Sequence, residues 1–365
     1  MSCSDRVRLV VLFGGESAEH EVSCVSAFHV LRAVDQDRYQ LDAIGITREG
    51  DWVRADDAIA ARHRAAELPA PITGVDRLEA TGTAVEPLPA VTPAIDEDIP
   101  VVVLPLLHGP HGEDGTVQGM LEMAGVPFVG SGVLASALCM DKLKCKDVLA
   151  AHGIPQVPWV GLRDNEHHDA WRLVDDAGLR YPLFVKPANL GSSVGVSRVA
   201  DASALPGAVA LAAEYDEWIV IEESAHGREI ELAVLGNAEP RASVPGEIVP
   251  GSEFYDYDDK YLDDAAELIV PADLPDDVVA ELQRLATKAF TTLRCDGMAR
   301  VDFFYEPEGR GVLLNEVNTI PGFTPISMYP KLWAASGLRY DELIDELVRL
   351  ALERHDRRRG FSTKR

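Results

Sequence analysis

RVDFFYEPEGRGVLLNEVNTIPGFTPISM, residues 300–328, is the stretch from which the rest of the chain is read. Val301, Phe303 and Tyr305 alternate with Arg300, Asp302 and Phe304, residues 307–311 supply turn chemistry, and 312–317 runs extended again. This pattern predicts a β-hairpin. A hairpin symmetric about Gly309 sets Asp302 opposite Glu316 and Arg300 opposite Asn318. Side chains two apart on a strand share a face, so the four polar groups would project together. Two carboxylates and an amide oxygen that close suit a hard cation. A guanidinium beside them repels a bare metal ion but suits an anion bound to one, most simply the phosphate chain of a nucleotide. A salt-bridged hairpin surface is the plainer alternative, but it needs neither the asparagine nor the NTIPGFTP turn that follows.

Length and composition bound the answer. A chain of 365 residues has room for two or three domains and a large core. Its net charge of −26 argues against a nucleic-acid or membrane partner. An anionic nucleotide would then need a local cluster of cations. Five scattered cysteines (Cys3, Cys24, Cys139, Cys145, Cys295) form no CxxC pair and read as reduced thiols of a cytosolic protein. No apolar run reaches spanning length, and no signal-peptide pattern opens the sequence. The closing RHDRRRGFSTKR is basic without an apolar face and reads as a solvated or frayed tail.

Outward from the hairpin, strand–turn–helix units recur. An apolar strand at 8–13 runs into FGGESAEHEVS and a helix to about Val34, with Val22, Val25, Phe28, Val30 and Leu31 inward. Glu16, Glu19 and Glu21 in that turn serve helix capping and ligand binding equally well. A second strand follows at 39–47, then a surface excursion over 65–100 rich in Ala, Pro and Thr. The apolar run 99–107 predicts a buried parallel strand emptying into HGPHGEDGTVQG. Both glycine-rich loops fall where open α/β sheets gather ligands. His108, His111 and Glu113 lack metal-site spacing, so a substrate-facing loop is the better reading. Gly125 closes a helix, and a new one is expected from about Ser131 to His152, with a domain boundary near 130.

Strands at 157–162 and 181–185 precede KPANLGSSVGVSRV, a lysine-led glycine hairpin whose small residues let backbone N–H groups approach phosphate oxygens. It is not a Walker loop, and it reads as a lid over phosphates. Strands at 217–223 and 228–235 carry Glu222, Glu223 and Glu229, either as edge charges or as acceptors for a purine amine and ribose hydroxyls. PGSEFYDYDDKYLDDAAE, long and aromatic, reads as a functional lid. A helix over 274–294, with Pro275 in its first turn, and closing helices near 327–336 and 340–355 complete the chain.

Seven motifs in this order make the chain recognisable: GGESAEHEVS, HGPHGEDGTVQG, MDKLKCK, VKPANLGSSVGVS, YDYDDKY, ARVDFF and NEVNTIPGFTPISMYP. The chain resembles the ATP-grasp superfamily, and closely the D-alanine–D-alanine ligases, outside the excursion and the tail. The resemblance implies an α/β (α+β) ATP-grasp fold of three domains: 1–130, Rossmann-like with a parallel sheet; 131–227, with the glycine-rich lid; and 228–365, with the metal hairpin. It implies ATP-dependent joining of two D-alanines through an acyl phosphate, for cell-wall peptidoglycan. By the same resemblance Asp302, Glu316 and Asn318 would bind two magnesium or manganese ions. Lys142, Lys186 and Lys260 would hold phosphates. Glu222, Glu223, Ala225, Glu229, Phe304 and Asn315 would line the ATP site.

Glu19 and His108 would receive the first D-alanine, and Ser327 and Met328 the second. Arg300 and Gly322 would stabilise the acyl phosphate and oxyanion, and Glu19, Ser192 and Tyr261 would bond across the closed site. A cytoplasmic homodimer is implied. Relatives that join D-alanine to D-lactate carry a histidine where this chain has Tyr261 and lack YDYDDKY, which favours the dipeptide. Another ATP-grasp carboxylate–amine ligase would differ in GGESAEHEVS and in the Ser327–Met328 pocket. A nucleotide-binding regulator without chemistry would tolerate loss of Arg300, Asp302 or Glu316, and all three are present.

Overall fold

The residues of LVVLF, 9–13, are completely buried and form an interior strand of the first of three sheets. The computed structural model describes residues 6–56, 59, 77–93, 99–249 and 267–362. β1 (Val7–Gly14), β2 (Tyr39–Ile46), β3 (Trp52–Arg54), β4 (Thr83–Ala84) and β5 (Val101–Pro105) lie in the order β4-β3-β2-β1-β5. β1 is parallel to both β2 and β5. Leu9, Val11 and Phe13 pack to one side and Val10 and Leu12 to the other, as a two-sided parallel strand requires. β6 (Trp159–Arg163), β7 (Leu183–Pro187), β8 (Ser197–Val199) and β9 (Trp218–Glu223) form an antiparallel sheet in the order β6-β9-β7-β8. β10 (Arg228–Gly236), β11 (Arg241–Ala242), β12 (Gly246–Val249), β13 (Glu267–Ile269), β14 (Gly297–Glu306) and β15 (Gly311–Asn318) form the third, ordered β13-β12-β10-β14-β15 with β11 on β10.

The fold class is the expected mixed α/β. The cores are shared differently. The cluster behind β1 continues through Ala233, Leu235 and Met298 of the third sheet into Trp333 and Leu343 of the closing helices. The four-stranded sheet keeps its own core around Leu183, Val185, Ile219 and Ile221. The cleft thus opens between a fused base and a separately packed cap. Cys24, Cys139, Cys145 and Cys295 are free thiols, and no helix among the described residues is long and apolar enough to cross a membrane.

Several local expectations are corrected. Val22 and Val25 are half-buried and line the cleft, while Ser23 and Ser26 are buried. Ser23 is buried because its hydroxyl donates to the Leu106 carbonyl at 2.5 Å and accepts from Gly14 N at 2.7 Å. The single helix expected over 131–152 is two, Val133–Met140 and Lys142–Ala151, because Asp141 caps the second by accepting from Lys144 N. The excursion is not all surface, since Leu78, Ala80, Ala90 and Val91 are buried. Pro275 is the N-cap of helix Asp276–Thr292 rather than a first-turn residue. The basic end is helical to Arg359 and docked. Arg354 is buried, donates to the Gly130 and Phe128 carbonyls and lies 4.1 Å over the Phe128 ring, and Arg358 pairs with Glu122 at 2.5 Å.

Candidate active site

Across β14–β15, Arg300 faces Asn318 and Asp302 faces Glu316, as symmetry about Gly309 predicts. Beyond Asp302 the register slips by one residue. Phe303 faces Leu314, which leaves Asn315 as the extra residue of a bulge. On the other side of β14, Glu231 of β10 faces Asp302. Arg300 Nε and Nη2 grip Asp302 Oδ1 and Oδ2 at 2.8 and 2.7 Å, and Arg300 Nε lies 3.2 Å from Glu231. Burial opposes the charge on Arg300, but Asp302 and Glu231 outweigh it and hold the guanidinium well above its ordinary range. Asn318 Nδ2 donates to Asp302 Oδ2 at 2.9 Å. Asp302, Glu316 and Asn318 all line one cavity of about 1640 Å³. Two carboxylates and an amide form a hard oxygen set that fits Mg²⁺ or Mn²⁺ rather than a thiophilic ion.

The cations face this hairpin from the cap. Lys142 begins its helix, its backbone N–H donating to the Ala188 carbonyl at 3.0 Å and its ammonium to the Leu190 carbonyl of the glycine-rich loop. Burial pushes the Lys142 ammonium down, against the pull of Glu316. Lys186 ends up raised, because Glu222 at 2.5 Å overcomes the burial. The second partner of Glu222 is the buried Lys146, at 2.9 Å. Burial raises the Glu222 carboxyl, but the two lysines prevail and hold it at about 2.

The loop 188–196 folds over the cleft. A Cβ on Gly191 would lie 3.5 Å from Glu19 Oε2, and one on Gly109 would lie 3.7 Å from the same oxygen. Glu19 is the N-cap residue of helix His20–Ala33, yet its side chain makes no capping bond. The carboxylate instead lies between the two loops. Ser192 and Ser193 adopt left-handed φ values of 51° and 58°, strained for serine. The buried Ser192 hydroxyl has no partner among the described residues. His108 is buried, with Nδ1 3.0 Å from the Ile320 carbonyl, and burial pushes its ring down. Glu113 accepts from Gly109 N at 2.8 Å, and burial with nearby Glu19 raises it to about 8. His111 is exposed.

At the far end, Ser327 is the N-cap of helix Met328–Ala335. Its hydroxyl accepts from Thr324 N at 3.1 Å, lies 2.8 Å from Thr324 Oγ1, and stands 3.1 Å from where a Cβ on Gly322 would sit. The amides that open this helix suit a carboxylate. Glu222, Glu223, Ala225 and Glu229 line the cavity where β9 crosses to β10, beside Phe304, which faces Glu229 across the strands. The Glu223 side chain pairs with Arg180 and Arg310, and its backbone N–H donates to the Pro158 carbonyl at 3.0 Å.

Every expected site residue within the described set therefore lines one cavity, Asn315 included. Lys260 and Tyr261 lie outside the described residues. Sequence reasoning missed Lys146, Glu231, Thr324 and Arg310. Only Glu231 had a signal, lying two residues from Glu229 and hence on the same strand face.

The family model described as the D-ala D-ala ligase N-terminus matches residues 8–131, and that of the D-ala D-ala ligase C-terminus matches 148–349. The chain is 46% identical over 372 residues to a protein named D-alanine–D-alanine ligase A from Salmonella typhimurium, covering 98% of this chain and 99% of that one. Among solved structures it resembles the D-alanine-D-alanine ligase from Coxiella burnetii, with a TM-score of 0.79, 37% identity, and 98% and 97% of the two chains covered. It also resembles the VanG D-Ala:D-Ser ligase from Enterococcus faecalis, with a TM-score of 0.78, 33% identity, and 95% and 99% covered.

Proposed function

The chain belongs to the D-alanine–D-alanine ligase family, and from that premise we propose that it joins two D-alanines while converting ATP to ADP and phosphate, as a cytoplasmic step of peptidoglycan precursor synthesis. The observation that carries this reading is the shared face of Arg300, Asp302, Glu316 and Asn318, opposite Lys142 and Lys186 across one cavity.

A carboxylate oxygen of the first D-alanine, its ammonium held by Glu19 near His108, attacks the γ-phosphorus. A new P–O bond forms, the bond to the β-phosphate oxygen breaks, and ADP leaves. The amine of the second D-alanine, its carboxylate at Ser327 and the Met328 N–H, attacks the acyl carbon and loses a proton. The tetrahedral intermediate expels phosphate. Arg300 and the Gly322 N–H face the negative charge that grows on the phosphoryl and acyl oxygens. Lys142 and Lys186 hold the α and β phosphates. Ala225 and its neighbours, Glu222 and Glu223, meet the adenine, Glu229 meets the ribose, and Phe304 and Asn315 complete the ATP site. Asp302, Glu316 and Asn318 would hold two Mg²⁺ or Mn²⁺ ions, which would supply positive charge to neutralise the phosphate chain. Ser192, Glu19 and Tyr261 would together exclude water from the acyl phosphate, and Lys260 would reach the γ-phosphate.

We divide the working parts at about 130 and 227, one part for each sheet, and infer a homodimer. Phosphate release from purified protein tests the reading. It should need ATP, a divalent cation and D-alanine, and yield the dipeptide. Release that depends on D-lactate or D-serine but not on a second D-alanine at neutral pH would overturn the choice of second substrate.

A further inference from the structure

The link between β9 and β10, residues 224–227, is gripped from behind by the turn of the β14–β15 hairpin. Arg310 Nη2 donates to the Ser224 carbonyl at 2.8 Å, and Nη1 donates to Glu223 Oε2 at 3.1 Å. Glu306 accepts from His226 N at 2.8 Å and holds Arg310 through Nε at 2.9 Å and Nη2 at 2.6 Å. Gly227 runs so close to β14 that a Cβ would lie 2.3 Å from the Tyr305 carbonyl oxygen. Ser224, Ala225, His226 and Gly227 line the cavity, whereas Arg310 and Glu306 stand outside it.

The peptide joining Ser224 to Ala225 is trans. A trans peptide is a rigid plane whose C=O and N–H point in opposite directions. With the Ser224 carbonyl turned onto Arg310, the Ala225 N–H is turned the other way, toward the cavity. It finds no acceptor among the described residues. We propose that Arg310, locked by Glu306, is a positioning residue for the nucleotide base, fixing the Ala225 N–H as the donor that reads N1 of adenine. This deepens the ligase reading and rests on it for the identity of the nucleotide. Adenine N1 accepts a hydrogen bond and guanine N1 carries a hydrogen, so a fixed donor selects one purine over the other.

Steady-state kinetics of the full chain test the assignment, with D-alanine saturating and either ATP or 1-deaza-ATP varied, the latter having C–H in place of N1. Losing one such bond is worth about tenfold in KM. The wild type should therefore show a higher KM for 1-deaza-ATP than for ATP. Arg310→Gln should raise KM for ATP by about tenfold, leave KM for 1-deaza-ATP nearly unmoved, and change kcat by no more than about twofold. Glu306→Gln should show the same pattern with a smaller shift, and it carries the test if Arg310→Gln does not fold. An equal rise for both nucleotides, or for neither, overturns the positioning role. If the wild type releases no phosphate with D-alanine, the ligase reading fails. Calorimetric binding of ADP and 1-deaza-ADP to the same proteins then still decides the role of Arg310 by the same selective loss.

Discussion

The two ends of the β14–β15 hairpin use the same residue pair in opposite ways. At the turn, Arg310 and Arg180 meet Glu306 and Glu223, so charges balance and the cluster braces backbone. At the cavity, Arg300 serves Asp302 and Glu231 together, with Glu316 directly across the strand pair. Carboxylates outnumber guanidiniums there, and Lys186 across the cleft is already bound to Glu222. A balanced cluster is complete without a ligand. An unbalanced one in a cavity invites further cations, and the bulge at Asn315 separates the two.

The largest effect should come from the cavity end. Arg300→Ala should lower kcat by about 10²–10³-fold while circular dichroism shows an intact fold, and normal turnover would erase the distinction. Glu222 is the instructive intermediate, lying in the cavity yet balanced by Lys146 and Lys186. Glu222→Gln leaves a buried ammonium short of a partner and should cost about 3–5 kcal/mol in denaturant unfolding. An unchanged unfolding free energy would contradict its role as the partner of Lys146 and Lys186.

At the turn, Arg310 hydrogen bonding holds Glu306 at about 2, below its ordinary 4.5. A depressed carboxyl contributes stability that is present above pH 4.5 and lost as pH falls toward 2. Glu306→Gln should therefore flatten the acid limb of a thermal-midpoint profile between those values, and an unchanged limb would discount the clamp. The smallest effect should be at Glu113, raised from 4.5 to about 8 by burial and Glu19. A raised carboxyl favours the folded state below pH 4.5 and loses that advantage as pH rises through 8. Glu113→Gln should thus gain on the wild type between pH 6 and 9, and an equal difference at both would contradict the surplus of negative charge.

How much of this was legible follows from where the information lies. Period-two alternation and a central glycine were enough to set Asp302 opposite Glu316. The one-residue slip beyond them was not legible, because Leu313, Leu314 and Asn315 carry no mark of a bulge. The break at Asp141 had its signal, an aspartate before KLK, but the apolar period ran through it. Lys146 looks like a surface lysine four residues from Lys142. Only the fold buries it against Glu222, and no local rule reports a partner that far along the chain. Arg354 misled for the same reason, since its acceptors are carbonyls of the loop at 128–130.

Counting Mn²⁺ bound in the presence of ADP by electron paramagnetic resonance tests the central claim most directly. The wild type and Glu306→Gln should bind two ions alike, while Asp302→Asn should lose one or bind it at least about tenfold more weakly. Equal binding in Asp302→Asn, or an equal loss in Glu306→Gln, would contradict the assignment of the cavity end as the metal–triphosphate centre.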